Sequence, residues 1–256
     1  MTDQHIVVTG GGSGIGRATA ILAAEAGIRV SVLDRNGAAA EETLRAVSID
    51  GCGAYSCDVT DGAALSTVLD AAEQTSGPIT GLVAAAGIDR GGFAHQLPEQ
   101  TWRDVVEVNL TGTFLAAREV LRRMVQAGNS GAMVLCSSPA AFVGFAAGGA
   151  SAYAASKGGV SALTRSLAVD YAAHGIRVNA LVPGATETPL MWAAVPEAER
   201  DTMRRRVERE VPLGRMADPT EPARAALWLL GKESSYVTGS HLVCDGGVLA
   251  KASISV

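Results

Sequence analysis

The stretch "TGGGSGIG", Thr9 to Gly16, lies between an apolar run, "HIVVTG" (His5–Gly10), and a helix-like segment, Gly16–Ala26, that Gly27 ends. Its glycines do not fit G-x-G-x-x-G; the spacing is G-x-x-x-G-x-G, through Gly10, Gly14 and Gly16. A backbone without Cβ atoms turns tightly there and lets a phosphate approach, while a helix N-terminus offers free N–H groups to negative charge. Taken alone, the turn is also what any tight strand-to-helix connection needs. The next strand, "RVSVLD" (Arg29–Asp34), decides between the two. It closes on Asp34, near the ~20-residue spacing at which a carboxylate holds the adenosine ribose hydroxyls of a dinucleotide. Asp34 as a mere turn former would not explain its match with the glycine turn.

Outward from this unit, the same alternation continues. A helix through Ala39–Val47 precedes a third strand, "AYSCDV" (Ala54–Val59), and a helix from about Ala63 to Gln74 follows. "GLVAAAG" (Gly81–Gly87) and "AMVLCSS" (Ala132–Ser138) flank one long helix near Thr101–Ala127. A helix carrying Tyr153 runs on to Ala173, followed by "IRVNALVP" (Ile176–Pro183), a helix at Thr220–Leu230 and a last strand, "SHLVCD" (Ser240–Asp245). Strands that are apolar throughout, alternating with helices, imply an α/β fold: a single-domain, doubly wound (Rossmann-type) parallel sheet with helices on both faces. The 256 residues suit one domain over 1–256, with a substrate lid around 185–215.

Composition narrows the function classes. With 48% hydrophobic and 18% charged residues the chain is not a disordered one, and a net charge of −5 without a basic stripe argues against nucleic acid. "MRRRVERE" (Met203–Glu210) reads as a solvated helix face with Arg204/Glu208 and Arg206/Glu210 pairs. Met1–His5 is short and polar, and no stretch is long and apolar enough for a membrane span, so a cytoplasmic protein without a leader is expected. Cys52, Cys57, Cys136 and Cys244 lack C-x-x-C spacing and the four histidines are scattered, so reduced thiols and no metal site are expected.

"SAYAASKGGV" (Ser151–Val160) sets Tyr153 and Lys157 one helical turn apart on one face. The plain reading is a half-buried Tyr with a Lys stem across it. The chemical reading is a phenol, ordinarily a poor base with a pKa near 10, whose proton is loosened by the ammonium.

The motifs together resemble the short-chain dehydrogenase/reductase family over nearly the whole chain. "TGGGSGIG", "CDV" (Cys57–Val59), "VNLTGTF" (Val108–Phe114), "CSS" (Cys136–Ser138), "YAASK" (Tyr153–Lys157), "NALVPG" (Asn179–Gly184) and "CDGG" (Cys244–Gly247) occur in the family's order. The resemblance implies catalysis by Asn109, Ser138, Tyr153 and Lys157: Tyr153 exchanges the alcohol proton, Ser138 hydrogen-bonds the substrate oxygen, Lys157 also holds the nicotinamide ribose, and Asn109 supports a water chain. Ser137 is the alternative serine, and the second of the pair is the family's usual one. For Asn109 and Ser138 taken alone, structural hydrogen bonding is the commoner role of such residues. Cofactor binding falls to Gly10, Ser13, Gly14, Ile15, Gly16, Asp34, Arg35, Asp58, Val59, Ala86, Gly87, Pro183, Gly184, Thr186 and Thr188, with Tyr153 and Lys157. Asp34 favours NAD over NADP, because a 2′-phosphate would meet its charge and Ser13 offers no cation; Arg35 argues the other way.

The expected activity is hydride transfer between NAD and a secondary alcohol or ketone. The alternatives are a 3-oxoacyl-thioester (acyl-carrier-protein) reductase and a non-catalytic nucleotide-binding scaffold. The resemblance also implies a homotetramer. Three departures stand out: "AAAG" at Ala84–Gly87 lacks the family's asparagines, the Ser138–Tyr153 interval is longer through "GFAAGGAS" (Gly144–Ser151), and Pro139 follows the serine. Phe142, Phe145, Leu190, Met191 and Trp192 are expected to make the substrate pocket largely apolar; packing of the lid onto the body is the competing explanation.

Overall fold

The computed structural model describes residues 4–47, 49–145 and 149–251. Met1–Asp3 and Ala146–Gly148, the middle of the long loop before Tyr153, lie outside the described residues. The chain alternates as the apolar runs imply: β1 (His5–Thr9), α1 (Gly14–Glu25), β2 (Arg29–Asp34), α2 (Gly37–Arg45), β3 (Gly53–Ser56), α3 (Gly62–Ser76) and β4 (Gly81–Ala84). Then come α4 (Glu99–Val106), a π-helical turn (Glu107–Thr111), α5 (Gly112–Ala127), β5 (Gly131–Cys136), α6 (Ser151–Asp170) and β6 (Ile176–Pro183). The last part is α7 (Pro189–Trp192), α8 (Arg200–Glu210), α9 (Thr220–Leu230) and β7 (His241–Cys244).

All strand pairs are parallel, in the order β3-β2-β1-β4-β5-β6-β7. The direction of winding reverses between β1 and β4, and a ligand crevice opens at the carboxyl ends of strands at such a point. The inner strands are apolar on both faces because both faces are covered, while the edge strand β7 leaves Val243 exposed. Val7 of β1 packs with Leu65 and Leu69 of α3, Val120 and Met124 of α5 and Val160 of α6. Its neighbours Ile6 and Val8 point the other way, with Ala20, Ala23 and Ala24 of α1 and Ala226 and Leu229 of α9. The alanine face of α1 is what lets α9 come close.

Helix ends are capped where the sequence offers a polar group. Asn36 accepts from Ala39 N–H at 3.3 Å, and Asp61 accepts from Ala63 and Ala64 N–H at 3.0 and 2.9 Å. Arg177 closes α9 from below, donating to the carbonyls of Leu229 (2.9 Å) and Gly231 (3.0 Å). At the foot of the sheet His5 is fully buried: Nδ1–H donates to Gly77 O at 2.7 Å, and Nε2 accepts from the Ser31 hydroxyl at 2.9 Å.

Three local expectations are corrected. The long helix is not continuous: Gly112 N–H bonds back five residues to Glu107 O, so a π turn separates α4 from α5. The third strand stops at Ser56 rather than Val59. Cys57 N–H still pairs with Asp34 O at 2.9 Å, but Asp58 then bends the chain by accepting from Thr60 N–H and its hydroxyl. In the charged run neither expected pair forms: Arg204 reaches Glu187, just before α7, and Glu210 pairs with Lys251.

Candidate active site

The glycine turn sits at the carboxyl end of β1, in the crevice. Gly10 adopts φ +67°, and a Cβ there would lie 2.7 Å from the Ala86 backbone, so the turn and the end of β4 pack backbone to backbone. The missing asparagines are replaced by Thr9. Ala85 N–H pairs with Thr9 O at 3.1 Å, and Ala86 N–H with the Thr9 hydroxyl at 3.4 Å. α1 begins at Gly14 with no side-chain bond from its N-cap, Ser13, and no acid in its first turn. The N–H groups of Gly14, Ile15 and Gly16 thus open an uncapped helix onto the crevice, which suits a pyrophosphate.

Asp34 stands beside this cradle at the end of β2. One carboxylate oxygen accepts from Gly12 N–H and the other from Asn36 N–H, each at 2.9 Å. Both oxygens keep a lone pair free, as the recognition of two ribose hydroxyls requires. Asp58 and exposed Arg35 feel each other's charge across the β2–β3 edge. The Thr60 N–H bond, opposed by burial and helped by the Thr60 hydroxyl and Arg35, holds the Asp58 carboxyl below its usual range. Val59 packs its side chain on Gly112 of α5.

The opposite wall follows β6. Pro183 ends the strand, Gly184 N–H pairs with Cys244 O (2.9 Å), and the Thr186 hydroxyl donates to Gly184 O (3.0 Å). Thr188 caps α7 by accepting from Met191 N–H at 3.3 Å, and its methyl lies 3.0 Å from where a Cβ of Gly14 would be. The cofactor-binding candidates of the two walls, Gly14 and Thr188, therefore meet. Between the two threonines, Glu187 accepts from Trp192 Nε1 (3.1 Å) and from the Arg204 guanidinium, which lies over the Trp192 ring at 5.2 Å. This cluster ties α8 to the cofactor wall.

Tyr153 and Lys157 line the crevice from α6. Lys157 is buried; its ammonium donates to Cys136 O at 2.7 Å and lies 5.6 Å from the centre of the Tyr153 ring. Of the two serines, Ser138 is the one whose hydroxyl favours ionisation of the Tyr153 phenol, and it accepts from Ala140 N–H at 3.2 Å. Ser137 is committed elsewhere, donating to Lys157 O (3.1 Å) and sharing a 2.7 Å bond with Ser161. Asn109, inside the π turn, clamps Ile88: Oδ1 accepts from Ile88 N–H (2.8 Å), while Nδ2 donates to Ile88 O (2.9 Å) and to Ser156 Oγ (3.1 Å). A Cβ on Gly87 would sit 3.3 Å from Asn109 Oδ1 and 3.7 Å from Lys157 Nζ, so two of the four catalytic candidates meet at the Gly87 corner.

The electrostatics differ from the expectation of a phenol loosened by its lysine. Burial pushes the Tyr153 phenol up to about 12, the charge of Asp89 adds to that, and the Ser138 bond pulls it down. The ammonium lies over the ring, not at the hydroxyl, and burial lowers its own pKa against the pull of Cys136 and Asp89. In this state Tyr153 holds its proton. Of the expected apolar rim, Phe142 turns edge-on to His241 of β7 (5.4 Å, 87°), while Phe145 and Leu190 are exposed and Met191 and Trp192 half-buried. Asp89, Ser156 and Glu187 were not picked out from the sequence, and Arg204 was read there only as a partner of Glu208. Asp89 alone had a local signal, its position directly after "AAAGI".

The chain is similar over nearly its whole length to known proteins. Residues 10–249 match the family model described as enoyl-(acyl carrier protein) reductase. The cis-4-hydroxycyclohexanecarboxylate dehydrogenase of Sinomonas cyclohexanicum is 44% identical over 251 residues, covering 97% of each chain. A crystal structure of a short-chain type dehydrogenase/reductase from Mycobacterium marinum superposes with a TM-score of 0.89 at 32% identity, covering 97% of this chain and 96% of that one. A crystal structure of a variant of the actinorhodin polyketide ketoreductase with NADPH matches with a TM-score of 0.89 at 32% identity, over 96% and 97% of the two chains.

Proposed function

The chain belongs to the short-chain dehydrogenase/reductase family, an oxidoreductase family with nicotinamide cofactors, and from that premise we propose an NAD-dependent dehydrogenase of secondary alcohols that uses Tyr153 as its acid and base. The observation that carries this reading is the Ser138–Tyr153–Lys157 group on the wall of a crevice whose other end holds Asp34.

The bound cofactor supplies the acceptor for the carbinol hydride. Gly14, Ile15 and Gly16 would offer their N–H groups to its phosphates, and Asp34 would accept from its ribose hydroxyls. Ser138 donates a hydrogen bond to the substrate oxygen as charge changes there. Tyr153 takes the hydroxyl proton during oxidation and returns it to the carbonyl oxygen during reduction. Ionising the phenol requires positive charge nearby, which Lys157 would supply in part together with a bound cationic nicotinamide. Asn109 fixes Ile88 and Ser156 beside Lys157, consistent with a role in the proton path of the lysine.

In this reading the protein works as a cytoplasmic homotetramer. All four cysteines are unpaired, as suits a reducing compartment. On α6, a Cβ at Gly158 would meet nothing within 4 Å, so that face allows another helix to approach closely. The test is NADH formation by purified protein with a panel of secondary alcohols, wild type against Tyr153→Phe. A loss of about 10²–10⁴-fold is expected for the variant. More than about a tenth of the wild-type rate in the variant overturns the role of Tyr153, and no turnover by wild type overturns the dehydrogenase reading.

A further inference from the structure

Asp89 lies in a segment pinned at both ends across the mouth of the site. On one side, Asn109 holds both backbone groups of Ile88, at 2.8 and 2.9 Å. On the other, Gly92 N–H donates to Gly149 O at 2.7 Å, and Gly92 bridges in parallel to Ala150, the residue before α6. Asp89 is therefore held, backbone first, next to the catalytic helix.

Its carboxylate has no hydrogen bond or ion pair with any described residue. The adjacent cation does not answer it, since Arg90 is engaged with Asp104 at 3.1 Å. Water reaches the carboxylate, yet its charge acts on both Tyr153 and Lys157, which places it at the reacting end of the crevice. Lys157 in turn is engaged with Cys136 O and has the ribose to hold in the proposed reaction. What remains is an acceptor-only group, unpartnered among the described residues, on a pinned segment close enough for its charge to act on Tyr153 and Lys157.

A substrate that covers such a group strips water from it. If the substrate brings a donor, the lost water bond is replaced by a charge-assisted one; if it brings only alkyl surface, the carboxylate is left unpaired. An anionic substituent there adds repulsion. The rest of the rim (Phe145, Leu190, Met191, Trp192) is apolar, so the donor requirement is confined to one corner.

Building on the dehydrogenase reading, we infer that Asp89 is a specificity-determining residue: it accepts a hydrogen bond from a second hydroxyl near the reacting carbinol, so the preferred substrates are diols rather than plain alcohols.

The experiment compares cyclohexanol with cis- and trans-1,2- and 1,3-cyclohexanediol, as kcat/KM with NAD and with NADP, for wild type, Asp89→Asn and Asp89→Ala. Wild type should favour at least one diol by about tenfold to a hundredfold, the range of a hydrogen bond to a charged group, chiefly through KM. Asp89→Ala should bring the diol-to-cyclohexanol ratio close to one, with Asp89→Asn in between because its amide still accepts. Thermal unfolding and NADH binding of the variants check that the fold and the cofactor site persist. A wild-type ratio within about threefold for every diol overturns the inference and leaves the dehydrogenase reading standing. So does an Asp89→Ala variant that slows all alcohols alike, which is how a purely structural residue would behave. If no alcohol is oxidised with either cofactor, the dehydrogenase reading fails and the inference falls with it.

Discussion

The buried imidazole of His5 makes the stability of this enzyme acid-sensitive by an amount that can be worked out in advance. Burial lowers its pKa from 6.5 to about 4; the Gly77 carbonyl bond pulls the other way, and Arg29 adds to the lowering. The folded protein thus binds the proton less readily than the unfolded chain does. Above the unfolded value of 6.5 both states carry a neutral ring and the group has no effect on the pH dependence. As pH falls from 6.5 the unfolded state gains protons first, so stability declines, and the decline stops once the folded ring protonates near 4. The full difference corresponds to about 3 kcal/mol, of which about 2 kcal/mol is lost by about pH 5. That is a large part of the 5–15 kcal/mol typical of a folded domain. The perturbation is His5→Gln, whose amide can keep donating to Gly77 O and accepting from Ser31. Urea unfolding of both proteins at about pH 7.5 and about pH 5 is the assay. Wild type should lose about 2 kcal/mol more than the variant between the two conditions. Equal losses would refute the reasoning.

Two further outcomes are expected. Wild type should prefer NAD over NADP by tens- to hundreds-fold in kcat/KM: Asp34 against a 2′-phosphate costs about 4 kcal/mol at 4 Å with an effective dielectric near 20, and solvent and Arg35 reduce it. Asp34→Ala should narrow that gap, and an equal or reversed wild-type preference refutes the assignment. Light scattering at micromolar concentration should give the mass of four chains, and a monomer refutes the proposed assembly.

The parts of this molecule that were legible in the sequence are those whose causes are local. Gly10, Gly14, Gly16 and Asp34 declare a strand–turn–helix–strand unit through spacing alone. Apolar strands between helices imply the two-sided sheet that HIVVT and RVSVLD form. The parts that were not legible depend on partners far along the chain. Arg204 has Glu208 one turn away, yet it joins Glu187, 17 residues distant, because that carboxylate also holds the Trp192 indole against which the guanidinium stacks. The third strand ends early because Asp58 folds onto Thr60, a turn that its apolar neighbours Cys57 and Val59 disguise. Tyr153 and Lys157 could be paired by spacing, but the direction of the phenol's pKa depends on burial and on Asp89, which come together only in three dimensions.

The π turn at Glu107–Thr111 acts as a phase shifter. Residues of an α-helix advance about 100° each, so the one residue absorbed by a wider turn rotates everything beyond it by roughly that angle relative to a continuous helix. α4 can therefore face α6 while α5 faces α3 and β4. Asn109 stands at the changeover, where the wider turn lets its amide leave the helix surface and reach Ile88. One inserted residue thus gives a single rod two independent packing addresses, with the clamp that positions the Asp89 segment set at the seam between them.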